Sequence, residues 1–200
     1  MTSRHYSPAP CALEGCARNA VTGAQRCWQH LENRDAFINA LASQDLENAW
    51  LVEVDLSDRD LSGAKLAGAR LSGADLSRTD LSGADLRGAF LDEADLRAAN
   101  LSDANLEFAV LGGADVSDAC FKDANLRRAN LVGTRARRAD FTEADLYYSR
   151  PGNADFQEAI LANASIERAI FRKANLAGAT LSGSRGSPNL ENANLDGVKR

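Results

Sequence analysis

The sequence predicts an all-β solenoid whose chain turns four corners per coil, with a small separate unit at its N-terminus. Three observations carry the prediction. Every fifth residue from Leu46 to Leu181 is leucine or, at Val116, Phe121, Phe141, Phe156, Ile166 and Phe171, another large apolar residue, with Ala136 and Pro151 the two poor core fillers. Two residues before each such centre the chain is mostly alanine, the exceptions being Gln44, Val54, Arg59, Thr79, Thr134 and Ser149. The residue just before the centre is often Asp or Asn, as at Asp75, Asp80, Asp85, Asp95, Asn100 and Asn105.

A period of five suits neither regular element. Five residues turn an α-helix by about 500°, so the leucines would spiral around it and form no stripe. In a straight strand an odd period sends successive leucines to opposite faces. The conflict disappears if the chain turns a corner once per repeat, always in the same sense, so that four short sides close one coil of about 20 residues around a common axis. Alanine then fits because four inward groups must share a narrow interior at high packing density. Asp and Asn fit because short polar side chains bond nearby backbone and settle tight turns.

The run A-(D/N)-L-x-x, as in Ala74-Asp75-Leu76 and Ala124-Asn125-Leu126, resembles the pentapeptide-repeat proteins. That resemblance implies a right-handed quadrilateral β-helix with four faces over residues 45–200. It implies little about activity, since a fold does not name a function. Seven coils stacked at about 4.8 Å make a core roughly 34 Å long.

Residues 1–44 do not follow the period. Residues 1–10 read as a flexible tail. Residues 11–44 place Cys11, Cys16, Cys27 and His30 in a C-x4-C-x10-C-x2-H spacing, which holds three of the chain's four cysteines and one of its two histidines. Three thiolates and an imidazole are a zinc set, and four protein ligands leave no open position for a catalytic water, so the expected zinc is structural. A segment this short buries too little to hold itself together unaided. A helix is expected from about Trp28 to Leu41, with Leu31, Phe37, Ile38 and Leu41 on its apolar side, capping one end of the solenoid.

Residues 20 apart should stack in columns on the faces. One column reads Trp50, Arg70, Phe90, Val110, Asn130, Arg150, Ile170, where Asp or Asn is usual; another reads Phe108, Arg128, Tyr148, Arg168. Trp50, Phe90, Phe108, Val110, Arg128 and Tyr148 are therefore the candidate partner-binding residues, because apolar patches with Tyr and Arg mark interfaces. The alternative is that the N-terminal unit folds back over Trp50 and Phe90. A second face is acidic through Asp60, Asp80, Asp103, Asp123, Asp140 and Glu143. The resemblance attaches a specific alternative to that face, because some pentapeptide-repeat proteins mimic DNA toward gyrase as inhibitors or protectors.

The net charge of −5 and pI near 5.1 argue against direct nucleic-acid binding. No stretch has the apolar length of a membrane span, and the N-terminus lacks the apolar core of a secretory signal, so the cytoplasm is the default location. The solenoid carries no nucleophile–base set, and its recurring Asp residues mark corners rather than an acid–base pair. The expected function is a non-enzymatic protein-interaction module.

Two irregularities stand out. Pro151 occupies a core position without changing the count, which suggests a bulged corner. After Leu181 the frame slips by one near residues 182–189, so that either a loop at Gly186–Pro188 restarts the coil or the C-terminus folds across the open end. The C-terminal coil could also serve association.

Overall fold

The computed structural model describes residues 9–41 and 45–200. Most of the tail expected over residues 1–10, and the junction at 42–44 with Gln44, lie outside the described residues. From Leu46 onward the chain is a four-sided β-helix. Parallel bridge pairs join residues 20 apart, such as Asp60 with Asp80 and Phe90 with Val110.

One repeat explains the rest. In residues 81–85, the Leu81 and Gly83 N–H groups donate to the Asn100 and Ser102 carbonyls of the next coil at 2.7 and 2.8 Å, and Asp85 N–H donates back to Ala64 at 2.9 Å. The Ala84 N–H closes a β-turn on the Leu81 carbonyl at 3.0 Å. The fifth donor, Ser82 N–H, is taken by the Asp80 carboxylate at 2.9 Å. Every backbone donor in the repeat is thereby satisfied, as buried or half-buried backbone requires. The Asp or Asn before each centre is the acceptor for a donor that the ladder cannot reach.

Each corner also needs a left-handed residue. Gly83 has φ +64°, and non-glycine residues at the same repeat position, such as Asp103, Phe108, Arg128 and Tyr148, have φ of 56 to 61°. This is the third position of a type II turn, where Gly or Asn is least costly. The side chains then sort themselves: centres such as Leu76, Leu101 and Phe121 and the preceding alanines are fully buried. Where alanine is replaced by Thr79 or Thr134, the hydroxyl donates to the Leu56 or Leu111 carbonyl at 2.8 Å. Phe121 and Phe141, one coil apart, stack at 4.7 Å, and Phe156 and Phe171 continue the aromatic core.

The N-terminal unit differs in part from expectation. The helix predicted from Trp28 to Leu41 is broken into a 3-10 turn, Trp28–His30, and a helix, α1, Arg34–Leu41. The break falls where Asn33 caps α1 by accepting the Ala36 N–H at 2.9 Å. Val21, Trp28, Ile38 and Leu41 join the solenoid core, so the unit caps the first coil. At Trp50 it pairs with the coil directly: Thr22 N–H donates to the Trp50 carbonyl at 3.0 Å, and Trp50 N–H donates to the Thr22 hydroxyl at 2.6 Å.

Pro151 makes no bulge. It is buried, its corner closes through Ala154 N–H at 3.3 Å, and the count of five is kept. Its missing N–H removes the bond that the Ile170 carbonyl would accept, and with it the bridge expected between Arg150 and Ile170. The slip after Leu181 is a restart: bridges now join residues 19 apart, Ile170 with Asn189 and Asn175 with Asn194. One side has lost a residue at Gly186, whose φ is +109° and where a Cβ would sit 2.5 Å from the Glu167 backbone. Only glycine fits that shortcut. In the last coil Leu181, Leu190, Leu195 and Val198 are only partly buried.

Leu101→Asp should lower Tm by about 10 °C or more, since it strands a charge where burial of leucine contributes about 1.5–3 kcal/mol. Ala98→Asp, three residues away at an exposed left-handed corner, should leave Tm within about 2 °C. Equal melts for the two variants would refute the inward assignment.

Acid should weaken the corners. Hydrogen bonds from the Ser62 hydroxyl and N–H hold Asp60 below the usual carboxylate range, and the Arg87 and Arg97 guanidinium groups do the same for Asp85 and Asp95. Groups with depressed folded pKa values stabilise above the unfolded value, about 3.9, and lose that contribution as pH falls through the folded values. Tm should therefore be flat above about pH 5 and fall below about pH 4. A Tm unchanged down to about pH 2.5 would show that these bonds contribute nothing.

Candidate functional site

The Cys/His set converges. Cys11 and Cys16 come from the loop around Gly15, a left-handed residue at φ +77°, while Cys27 precedes the 3-10 turn and His30 ends it, its N–H donating to the Cys27 carbonyl at 3.0 Å. The four ligand atoms all lie within 4.8 Å of one another. His30 Nδ1 is 3.6 Å from Cys11 Sγ and 3.3 Å from Cys27 Sγ, and the Cys16 and Cys27 sulfurs are 3.9 Å apart. A tetrahedral ion with bonds of about 2.3 Å to sulfur and about 2.0 Å to nitrogen would set sulfurs about 3.8 Å apart and sulfur to nitrogen about 3.5 Å. The residues therefore fit a metal ion, and none of the three thiols is paired in a disulfide.

The electrostatics favour a thiolate on one side of the cluster. Hydrogen bonds from the backbone of Cys27 and Leu13 hold the Cys11 thiol down at about 6, whereas burial pushes the Cys27 thiol up. Cys11 and Cys27 are buried and Cys16 is half-buried.

The face running from Trp50 to Ile170 breaks the corner rule. Trp50, Arg70, Phe90, Val110, Arg150 and Ile170 replace the usual Asp or Asn, and Asn130 alone keeps the bond, accepting from Val132 N–H at 3.2 Å. Arg70 lies 4.1 Å above the Phe90 ring centre and 5.9 Å from that of Trp50. Phe90 and Val110 are bridge partners in adjacent coils and are half-buried. Trp50 belongs to the junction with the N-terminal unit, where it lines a cleft with Arg18, Cys27, Trp28 and Glu53.

Around the corner, Phe108 is 52% exposed with the Arg128 guanidinium 5.3 Å from its ring centre. Tyr148 accepts a hydrogen bond from Arg168, which also lies over its ring, and Tyr147 packs edge-on against Tyr148. Phe108 and Tyr148 hold left-handed corners, a conformation disfavoured for bulky residues. The period did not reveal this left-handed position. Its signal was present, since Gly, Asn and Asp recur two residues after the centres.

The acidic face divides into two kinds of carboxylate. Asp60, Asp80 and Asp140 accept the N–H groups of Ser62, Ser82 and Thr142, and Asp140 also pairs with Lys122 at 3.2 Å. Asp103, Asp123 and Glu143 stand exposed at the same corner of successive coils and form no ion pair among the described residues. On the neighbouring face Arg97, Arg135, Arg137 and Arg138 pair with Asp95, Asp115, Asp155 and Asp118.

A family model described as pentapeptide repeats matches residues 45–78, 79–118, 119–150 and 152–185, in eight copies. Comparison with curated proteins finds no relative. Among solved structures the chain is similar to HetL, a pentapeptide repeat protein involved in heterocyst differentiation regulation from the cyanobacterium Nostoc, at 23% identity over 85% of this chain and 95% of that one, with a TM-score of 0.45. It is similar to QnrB1, a plasmid-mediated fluoroquinolone resistance protein, at 21% identity over 75% and 88% of the two chains, TM-score 0.40. A pentapeptide repeat protein from the Arabidopsis thaliana thylakoid lumen shares 32% identity over 49% of this chain and 65% of its own, TM-score 0.28. No helix among the described residues is long and apolar enough to cross a membrane.

Proposed function

The chain belongs to the pentapeptide repeat family, and within it we propose a non-enzymatic interaction module that binds a protein partner on the face from Trp50 to Ile170, with a zinc ion fastening the N-terminal cap. One observation carries the binding reading. On this face alone the corner acceptors are given up almost throughout, so among the described residues the N–H groups of Ser72, Asp92, Gly112, Gly152 and Arg172 lack the side-chain partner that Ser82 and Thr142 have. A chain that forgoes those bonds for Phe90, Val110, arginines and Ile170 gains a surface suited to another protein. Phe108 and Tyr148, held at costly left-handed corners beside it, extend the same surface around the edge.

The zinc reading rests on the ligand distances and on need. Cys11, Cys16, Cys27 and His30 would close a four-ligand site that leaves no place for a reacting water, which makes the ion structural. The cap contributes few large apolar residues to the core, so the ion would supply what burial does not.

The DNA-mimic alternative has one observation in its favour, the unpaired column Asp103, Asp123 and Glu143. Against it, most of the carboxylates on the next face are neutralised by arginine.

An affinity pulldown with the full chain should recover a partner that the Phe90→Glu/Val110→Glu variant loses without a change in Tm. Capture equal to wild type would remove this face from function. Gyrase supercoiling should be unaffected at stoichiometric excess, and inhibition or protection would promote the alternative.

Protein prepared without a tag should contain about one zinc per chain, lost in Cys16→Ser. Chelation should shift the emission of Trp28 and Trp50, the chain's two tryptophans, while far-ultraviolet dichroism of the β-helix persists. Metal-free protein whose fold ignores chelators would overturn the zinc assignment.

A further inference from the structure

The C-terminal half of the same face carries a groove of about 270 Å3 lined by Val132, Arg150, Gly152, Ile170, Arg172 and Lys173. Its charge is out of keeping with the chain, whose net charge is −5. Nearly every other arginine on the coils pairs with a carboxylate or lies over an aromatic ring, as Arg97, Arg127, Arg128 and Arg138 do. Among the described residues Arg150, Arg172 and Lys173 do neither, although all three are exposed, Arg150 on one coil and Arg172 and Lys173 on the next. Three like charges left unpaired at close range repel one another, so the arrangement is one that an anion would relieve.

The backbone points the same way. In regular repeats the N–H after the centre points outward to the Asp or Asn side chain, as Ser82 does to Asp80. At Gly152 and Arg172, both of which line the groove, the corresponding residues are Arg150 and Ile170, so among the described residues these two donors have no acceptor. Gly152 has no side chain to cover the floor, and Pro151 beside it has removed the bridge between Arg150 and Ile170. The Val132 and Ile170 side chains, each 39% exposed, form apolar walls.

We infer that this groove holds the carboxylates of an acidic, apolar-flanked segment of the partner protein; the inference rests on the interaction face proposed above and names the partner's chemistry. Cations and free N–H donors suit carboxylate oxygens, and the apolar walls suit the alternate side chains of an extended segment. A nucleic acid tracking the face would run from this basic half onto Asp92, Glu93 and Glu53 on the same face, where its phosphates meet like charge. A short peptide seated in the groove meets none of them.

The test is fluorescence anisotropy on the full chain with a fluorescein-labelled peptide alternating glutamate and leucine, at low salt. Saturable binding is expected, weakened about tenfold in Arg172→Glu/Lys173→Glu. It should also weaken in Gly152→Ala, whose Cβ meets only ordinary contact at 3.5 Å and so fills the floor without disturbing the fold. Absent binding, binding insensitive to these variants, or equal affinity for a lysine–leucine peptide or an oligothymidine would overturn the inference. A pulldown partner lost in Phe90→Glu/Val110→Glu but retained in Arg172→Glu/Lys173→Glu would overturn the acidic-segment inference while leaving the interaction face in place.

Discussion

The left-handed corner is the constraint on which the molecule depends. Every fifth residue from Asn48 to Gly183 has a positive φ, and behind nearly every one an N–H closes a turn onto the preceding centre, as Ala84 does onto Leu81. Four such corners return the chain to its starting direction after 20 residues, which brings the bridging residues of successive coils into register. Ladder bonds, the buried centres and the buried alanines all follow from that return. Removing one residue at Gly186 changes the register to 19 but keeps the ladder, because a glycine can pass within reach of the Glu167 backbone. The offset of 19 then carries through the remaining corners, to Thr180 with Lys199, so the ladder survives a change of count as long as each later corner keeps its own length.

The same accounting of backbone donors separates structure from function on the surface. An acidic residue just before a centre is explained by the N–H it accepts, so Asp60, Asp80 and Asp140 carry little functional information on their own. Positions that decline that role are the informative ones. On one face they accumulate, and with them come the arginine–aromatic contacts of Arg70 with Phe90 and of Arg128 with Phe108 just around the corner. Bulky residues in left-handed geometry add a second departure from local preference at the same edge. Natural sequences tend to break local rules where function requires it.

Much of this was legible in the sequence, for identifiable reasons. The period of five exposed the four-sided coil because the core repeats in sequence as it does in space, and the columns 20 apart followed by arithmetic. The Cys/His set was legible because the ligand types are few and closely spaced. What periodicity could not carry was geometry without a repeating side-chain signature. The break between Trp28–His30 and α1 depends on one capping residue, Asn33. Pro151 was expected to bulge, but a centre position already points its neighbours into a turn, and the fixed φ of proline is compatible with the extended residue before it. The basic groove was invisible as a motif because Arg150 lies a coil away from Arg172 and Lys173, and its free N–H groups are defined by acceptors that are missing.

Cap and coil depend on each other unequally. The first coil is imperfect: Arg59 replaces a buried alanine and is exposed, Ala64 is half-buried, and Leu61 is 7% exposed where the later leucine centres from Leu66 to Leu161 are fully covered. The cap compensates above it with Val21, Trp28, Ile38 and Leu41, and reaches the coil's edge at Trp50 and Glu53. An open solenoid end exposes a row of unpaired backbone groups, which invites association unless something covers it. The cap covers that end, yet it has too few apolar residues to fold without support. Its ligand cluster lies next to the cleft that Trp28 and Trp50 share. Closing the cluster would therefore also hold the Thr22–Trp50 pairing at the edge of the proposed binding face. Fold stability along the rod is local to each coil, but on the function proposed above the end of the surface nearest the cap would be set by whether Cys11, Cys16, Cys27 and His30 are drawn together.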